Sequence, residues 1–89
     1  MTPSPVVALN RAVALAMSEG LERGLAEIDR VGASGKLDQY HLFHAARADI
    51  LRRLGRLEDS VDAYRKALKL TSNKVERDYL ERRLRQLQH

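Results

Sequence analysis

His41 and His44 stand three residues apart on what reads as one helix. That spacing can turn two imidazoles toward one metal ion. Asp38 is the only local carboxylate that could complete the set. The chain has three histidines and no cysteine, so a thiolate site and a disulfide are both excluded. Packing of His44 against the first helix pair is the competing reading. Arg47, Arg52, Arg53 and Arg56 form a basic cluster that could meet phosphate. No aromatic residues are interleaved with them, and no helix-turn-helix with a polar recognition helix is visible. There is no Ser/His/Asp or Cys/His set, no phosphate loop and no carboxylate pair in an identifiable pocket, so neither catalysis nor a cofactor or metal is expected.

These residues sit in a short chain. Eighty-nine residues make one small domain, taken as residues 1–89, with a thin stability margin. Sixteen Lys and Arg against twelve Asp and Glu leave a formal charge of +4. The charges alternate in sign, as in Glu58-Asp59, Arg65-Lys66 and Glu81-Arg82-Arg83, which suits solvated helix faces better than a phosphate-binding patch. The longest apolar run, Ala12 to Met17, is far short of the ~20 residues that span a bilayer. No charged segment precedes it as in a signal peptide, so no membrane contact and a cytoplasmic location are expected. Met1-Thr2-Pro3-Ser4-Pro5 reads as a linker.

Helices account for nearly everything that follows. Ser4 is a favoured N-cap and Pro5 suits the first helical position, so a first helix is expected to about Ser18, with Gly20 as the turn. Leu21, Leu25, Ile28 and Val31 mark a second helix. Gly32-Ala33-Ser34-Gly35 is the clearest loop. Asp38 is the expected cap of a third helix that ends at Leu54 with Gly55 behind it. Leu57, Val61, Tyr64 and Leu68 mark a fourth, to Leu70. Thr71-Ser72-Asn73 breaks the chain again, and Asn73 with Glu76 has capping-box spacing. A fifth helix carries Leu80, Leu84 and Leu87 on one face and runs to about Leu87.

The segment from Ala8 to Val31 overlays His44 to Ala67 without a gap, 36 residues on. Arg11 falls on Arg47, Ala12 on Ala48, Leu15 on Leu51 and Leu21 on Leu57. A repeat of this length made of two amphipathic helices indicates a stacked array, and such arrays commonly hold partners. Small residues recur where helices must approach, Ala12 and Ala48 in the first helices and Gly24 and Ser60 in the second. Ile28 and Tyr64 follow one turn on and fill the space between. Arg11 and Arg47 read either as register-setting ion-pair partners or as surface residues whose stems cover apolar area.

The second unit resembles a tetratricopeptide repeat (TPR), with Ala48, Leu51, Gly55, Leu57, Ser60, Tyr64 and Ala67 at signature spacings. Ala12, Leu15, Leu21, Gly24 and Ile28 match more loosely. The period is 36 where the repeat usually has 34, His44 stands where Trp is common, and Ser72 replaces a usual Pro. The implied fold is all-α and TPR-like, about five antiparallel helices: two hairpins and a C-terminal capping helix. The runs Ser4 to Ala14, Tyr40 to Arg56 and Glu76 to Leu84 are also similar to the TPR-like C-terminal extension of a group of bacterial extracytoplasmic-function (ECF) RNA polymerase sigma factors. That resemblance implies a fragment of a longer factor, whose polymerase- and promoter-contacting parts would lie upstream and supply any contact with DNA. The extension would act in transcription initiation by contacting other sigma-factor regions, RNA polymerase or a regulator. A stand-alone TPR adaptor, or a homodimerisation module unrelated to transcription, is the alternative.

By TPR analogy, Val6, Leu9, Val13 and Met17 of the first helix face a concave partner-binding groove, together with Leu42, Ala45, Asp49, Arg52 and Arg53. Repeats that clamp a C-terminal carboxylate use Lys and Asn on that face, where Leu9 and Val13 stand here. A fifth helix or a second copy of the chain could instead cover the groove.

Overall fold

The computed structural model describes residues 4–88, and within them every regular element is an α-helix. The expected linker residues Met1–Pro3 lie outside that range. In chain order the helices are α1 (Pro5–Glu19), α2 (Leu21–Gly32), α3 (His41–Arg53), α4 (Leu57–Leu70) and α5 (Lys74–Leu87). The molecule is 43 × 27 × 19 Å. Its least dimension is about two helix diameters, as expected for helices stacked in two layers.

Local chemistry sets most of the ends. The Ser4 hydroxyl accepts from the Val7 amide at 3.2 Å and Pro5 follows at the first helical position. Gly20 alone separates α1 from α2, at φ +112°, a conformation that a side chain disfavours. Beyond α3 the chain closes a Schellman motif. Arg56 N–H donates to the Leu51 carbonyl at 2.9 Å and Gly55 N–H to that of Arg52 at 3.0 Å. Asn73 Oδ1 accepts from the Glu76 amide at 3.1 Å, but the reciprocal half of a capping box is absent. The Asn73 amide donates instead to Thr71 Oγ1, and Thr71 in turn donates to Glu76 Oε2.

The start of α3 differs from the sequence expectation. Asp38 does not cap it. Residues 36–39 form a turn that drops Leu37 into the core at 3% exposure, and the Tyr40 amide bonds the Leu37 carbonyl at 3.0 Å. Burying Leu37 moves the helix start to His41, with Tyr40 at the N-cap and no side-chain cap.

α1 packs on α2 and α3 on α4 as hairpins, α2 joins the two pairs, and α5 lies on α4. The small positions do what spacing suggested. Ala12 and Ala48 are both completely buried, as are Ile28 and Tyr64. A Cβ on Gly24 would sit 2.2 Å from Ala16 Cβ, so the crossing of α1 and α2 requires glycine there. Ser60, its counterpart, has room for a side chain and donates to the Ala48 carbonyl at 2.8 Å. Leu51, Leu80 and Leu84 complete the core around α3, α4 and α5. Full burial of each such side chain contributes about 1.5–3 kcal/mol.

The candidate groove between α1, α3 and α5

Between α1, α3 and α5 lies an open cavity of about 590 Å³. Leu9 and Val13 of α1 form one wall, Leu42, Ala45 and Asp49 of α3 the floor, and Val75, Tyr79 and Leu80 of α5 the other wall. Apolar contact groups dominate it, and several face solvent: Leu42 is 42% exposed and Val75 78%. α5 therefore bounds the groove without filling it.

Of the nine groove residues expected from sequence, Leu9, Val13, Leu42, Ala45 and Asp49 line this cavity, and four do not. Leu9 is a wall at 3% exposure, held in the core, so its part is structural as much as presentational. Val6 and Met17 are exposed at the two ends of α1, outside the cavity. Arg53 reaches Met17, its Nη1 lying 3.8 Å from the sulfur. Arg52 turns into α4, where its Nε donates to the Tyr64 hydroxyl at 3.2 Å. Tyr40 and His41 were not expected there, and α5, expected only as a cover, forms a wall instead.

At one end of the floor sits a polar seam. Asp49 Oδ1 accepts from Tyr64 OH of α4, in a very short contact, and from Tyr79 OH of α5 at 2.9 Å. Arg52 lies 3.9 Å from the same oxygen. Arg83 donates from Nε to Tyr79 OH at 3.3 Å and stacks over the Tyr79 ring, 5.4 Å from its centre. One carboxylate thus ties three helices together. Burial, and then the Asp49 carboxylate, push the Tyr64 hydroxyl well above the usual phenol range.

A second tie closes the same seam nearer the start of α3. His41 Nε2 lies 2.6 Å from Glu76 Oε2. His41 Nε2 makes no directed hydrogen bond, so the pair is a close contact between α3 and α5. His44 faces elsewhere. It is buried against the edge of Phe43, with ring centres 5.0 Å apart, and donates from Nε2 to the Asp38 carbonyl at 2.8 Å. The two histidines do not converge, and the described residues contain no group of three or more His, Cys, Asp or Glu positioned to hold a metal ion. Asp38 contributes its carbonyl oxygen, not its carboxylate.

The arginine cluster is dispersed as well. Arg47 pairs with Asp29 at 2.8 Å, Arg52 joins the tyrosine seam, and Arg56 pairs with Asp59 at 3.0 Å. Arg47 therefore sets register between α3 and α2, whereas its counterpart Arg11 is exposed and makes no ion pair among the described residues. No helix among the described residues is long and apolar enough to cross a membrane.

No protein-family model matches the chain. No solved structure matches it either. It is similar to an uncharacterized protein of Rhizobium meliloti (strain 1021), with 38% identity over 84 residues. The match takes in 94% of this chain and 19% of that protein, so the chain spans about a fifth of its relative's length.

Proposed function

We propose that this chain is a TPR-like binding module that takes a protein segment in the groove between α1, α3 and α5. By the resemblance of Ser4–Ala14, Tyr40–Arg56 and Glu76–Leu84, its setting is the C-terminal extension of an ECF sigma factor. There it would contact the factor's own polymerase- and promoter-binding parts, RNA polymerase or a regulator. A domain that docks on those parts in one arrangement and not another sets how much of the factor is competent, by its differential affinity for the two states.

The observation that carries the binding reading is an open groove of about 590 Å³ walled by Val13, Leu42 and Val75, with Asp49 and Tyr79 bonded to each other at one end of its floor. Apolar surface left open in this way favours an occupant with an apolar face. The role is holding and positioning, not catalysis.

The test uses labelled chain titrated with core RNA polymerase and with separately purified polymerase- and promoter-binding parts of an ECF sigma factor. Val13→Asp and Leu42→Asp should abolish binding while leaving the helical spectrum intact. Leu9→Asp is unsuitable, because that side chain is core. Binding unchanged in both folded variants rejects the groove. Binding to neither sigma parts nor polymerase rejects the sigma-factor setting and leaves an independent adaptor.

A further inference from the structure

Charge is not spread evenly along the groove. α5 runs the same way as α3, because Glu76 meets His41 at the start of α3 and Tyr79 meets Asp49 further along it. The end of the groove near the start of α3 therefore carries Glu76. The other end carries cations. Arg82, one turn past Tyr79, lines the cavity from the α5 wall. Arg53 stands at the end of α3, beside Met17 of α1. Both are exposed, and neither makes an ion pair among the described residues. Arg52 lies 3.9 Å from Asp49, and Arg83 reaches the Tyr79 hydroxyl that Asp49 holds. One carboxylate thus faces four guanidinium groups, and this end is left positive.

We propose that the groove takes an amphipathic helix of a partner protein, with acidic residues in its first turn laid against Arg53 and Arg82. This occupant rests on the groove being the binding surface, and adds its chemistry and direction. The apolar face follows from Val13, Leu42 and Val75. The helix follows from the backbone: an extended chain on those walls would leave N–H and C=O groups against apolar surface, whereas a helix bonds its own. The acids follow from Arg53 and Arg82, and the direction from Glu76, which repels an acid at the opposite end. That direction sets the positive N-terminus of the occupant beside the last carbonyls of α1 and α3, and acids in its first turn stabilise its own helix. A nucleic acid shares the negative charge, but the Tyr79 ring on which a base would stack already carries Arg83.

The probe is a synthetic peptide of about 15 residues with Asp and Glu in its first turn, leucines at helical spacing and Lys in its last turn, added to the isotope-labelled chain. Saturable shifts should map to Val13, Leu42 and Val75, and affinity should fall as salt is raised. Replacing the peptide's acids by Asn and Gln should weaken binding by about fivefold or more, and so should Arg53→Glu with Arg82→Glu in the chain. A peptide with Lys in its first turn should regain affinity for that double variant. Both arginines are exposed, so the double variant should keep the helical spectrum. Equal groove binding by acidic, neutral and basic peptides would overturn the proposal and leave the groove reading standing. No groove binding by any of them would overturn it as well, and Val13→Asp in the polymerase and sigma-part titration then tells whether the groove reading falls with it. An oligonucleotide that displaces the acidic peptide would assign the basic end to nucleic acid instead. A dimer in sedimentation that the double variant dissolves would assign it to a second copy, and either result overturns the proposal.

Discussion

Asp49 on α3 accepts a hydrogen bond at 2.9 Å from the hydroxyl of Tyr79 on α5, thirty residues along the chain. The bond closes the far wall of the groove onto its floor. α5 is otherwise held by Leu80 and Leu84 in the core and by Arg77, which donates to the Leu68 carbonyl at 2.8 Å and to that of Thr71 at 3.1 Å. A cation there also suits the C-terminal end of α4. Tyr79→Phe keeps the ring and removes the donor. It should cost about 1.5–3 kcal/mol, the range for a hydrogen bond to a charged acceptor, read by denaturant unfolding. Hydrogen exchange should quicken in α5 and not in α1 or α2. A uniform change across all helices would mean that Tyr79 does not act as a local latch.

Tyr64 makes the other hydroxyl contact to Asp49, and burial with that carboxylate raises its ionisation above the ordinary phenol value. The sign follows from linkage. The unfolded chain loses the phenol proton near pH 10, while the folded state keeps it to higher pH. This contribution to stability is therefore complete below about pH 10 and is lost as pH rises through the folded value. Phenolate absorbance of the folded protein should show Tyr64 still un-ionised at a pH where the unfolded chain has ionised it. Tyr64→Phe should abolish that lag. A lag that persists in the variant would assign it to another residue.

What was legible in the sequence was local. Gly20 and Gly55 separated apolar stripes of helical period, and the 36-residue echo located Ala12, Ala48, Ile28 and Tyr64 in the interior. The errors came from tertiary choices. Asp38 carried the right side chain for a cap, but burial of Leu37 took the helix start past it. Arg52 looked like a groove residue because its position on α3 faces that way; the buried Tyr64 hydroxyl draws it aside. The α5 wall depended on contacts between residues 30 apart, Asp49 and Tyr79, which no periodicity encodes. A Tyr on the apolar margin of a last helix was the available signal, since a buried phenol needs a partner.

Asn73 caps α5 through one bond, Oδ1 to the Glu76 amide at 3.1 Å, while Thr71 holds the Glu76 side chain beside His41. Asn73→Ala should cost about 1 kcal/mol, as ordinary N-cap losses do. Thr71→Val should add a separate loss, because it removes the hydroxyl that links Glu76 to the Asn73 amide. The two substitutions share Glu76, so a double-mutant cycle should be non-additive, with coupling of about 0.5 kcal/mol or more. Strict additivity would show that cap and hydroxyl act independently.

Gly24 and Ser60 occupy the same place in the two hairpins but tolerate opposite changes. At Gly24 an added Cβ would lie 2.2 Å from Ala16 Cβ and 2.5 Å from its Cα, so backbone must move. Gly24→Ala should destabilise by about 3 kcal/mol, at the upper end of overpacking losses, despite the better helix propensity of alanine. At Ser60 the Cβ already fits, and Ser60→Ala removes only the hydroxyl that donates to the Ala48 carbonyl at 2.8 Å. That loss should be about 1 kcal/mol. Ala16→Gly in the Gly24→Ala background should recover part of the larger loss by clearing the contact. The recovery should be absent at Ser60, where the facing residue is Ala48 and not an alanine one turn further along. If Ala16→Gly gives no relief, the clash is not what requires glycine at 24, and the close crossing of α1 and α2 must rest on another contact.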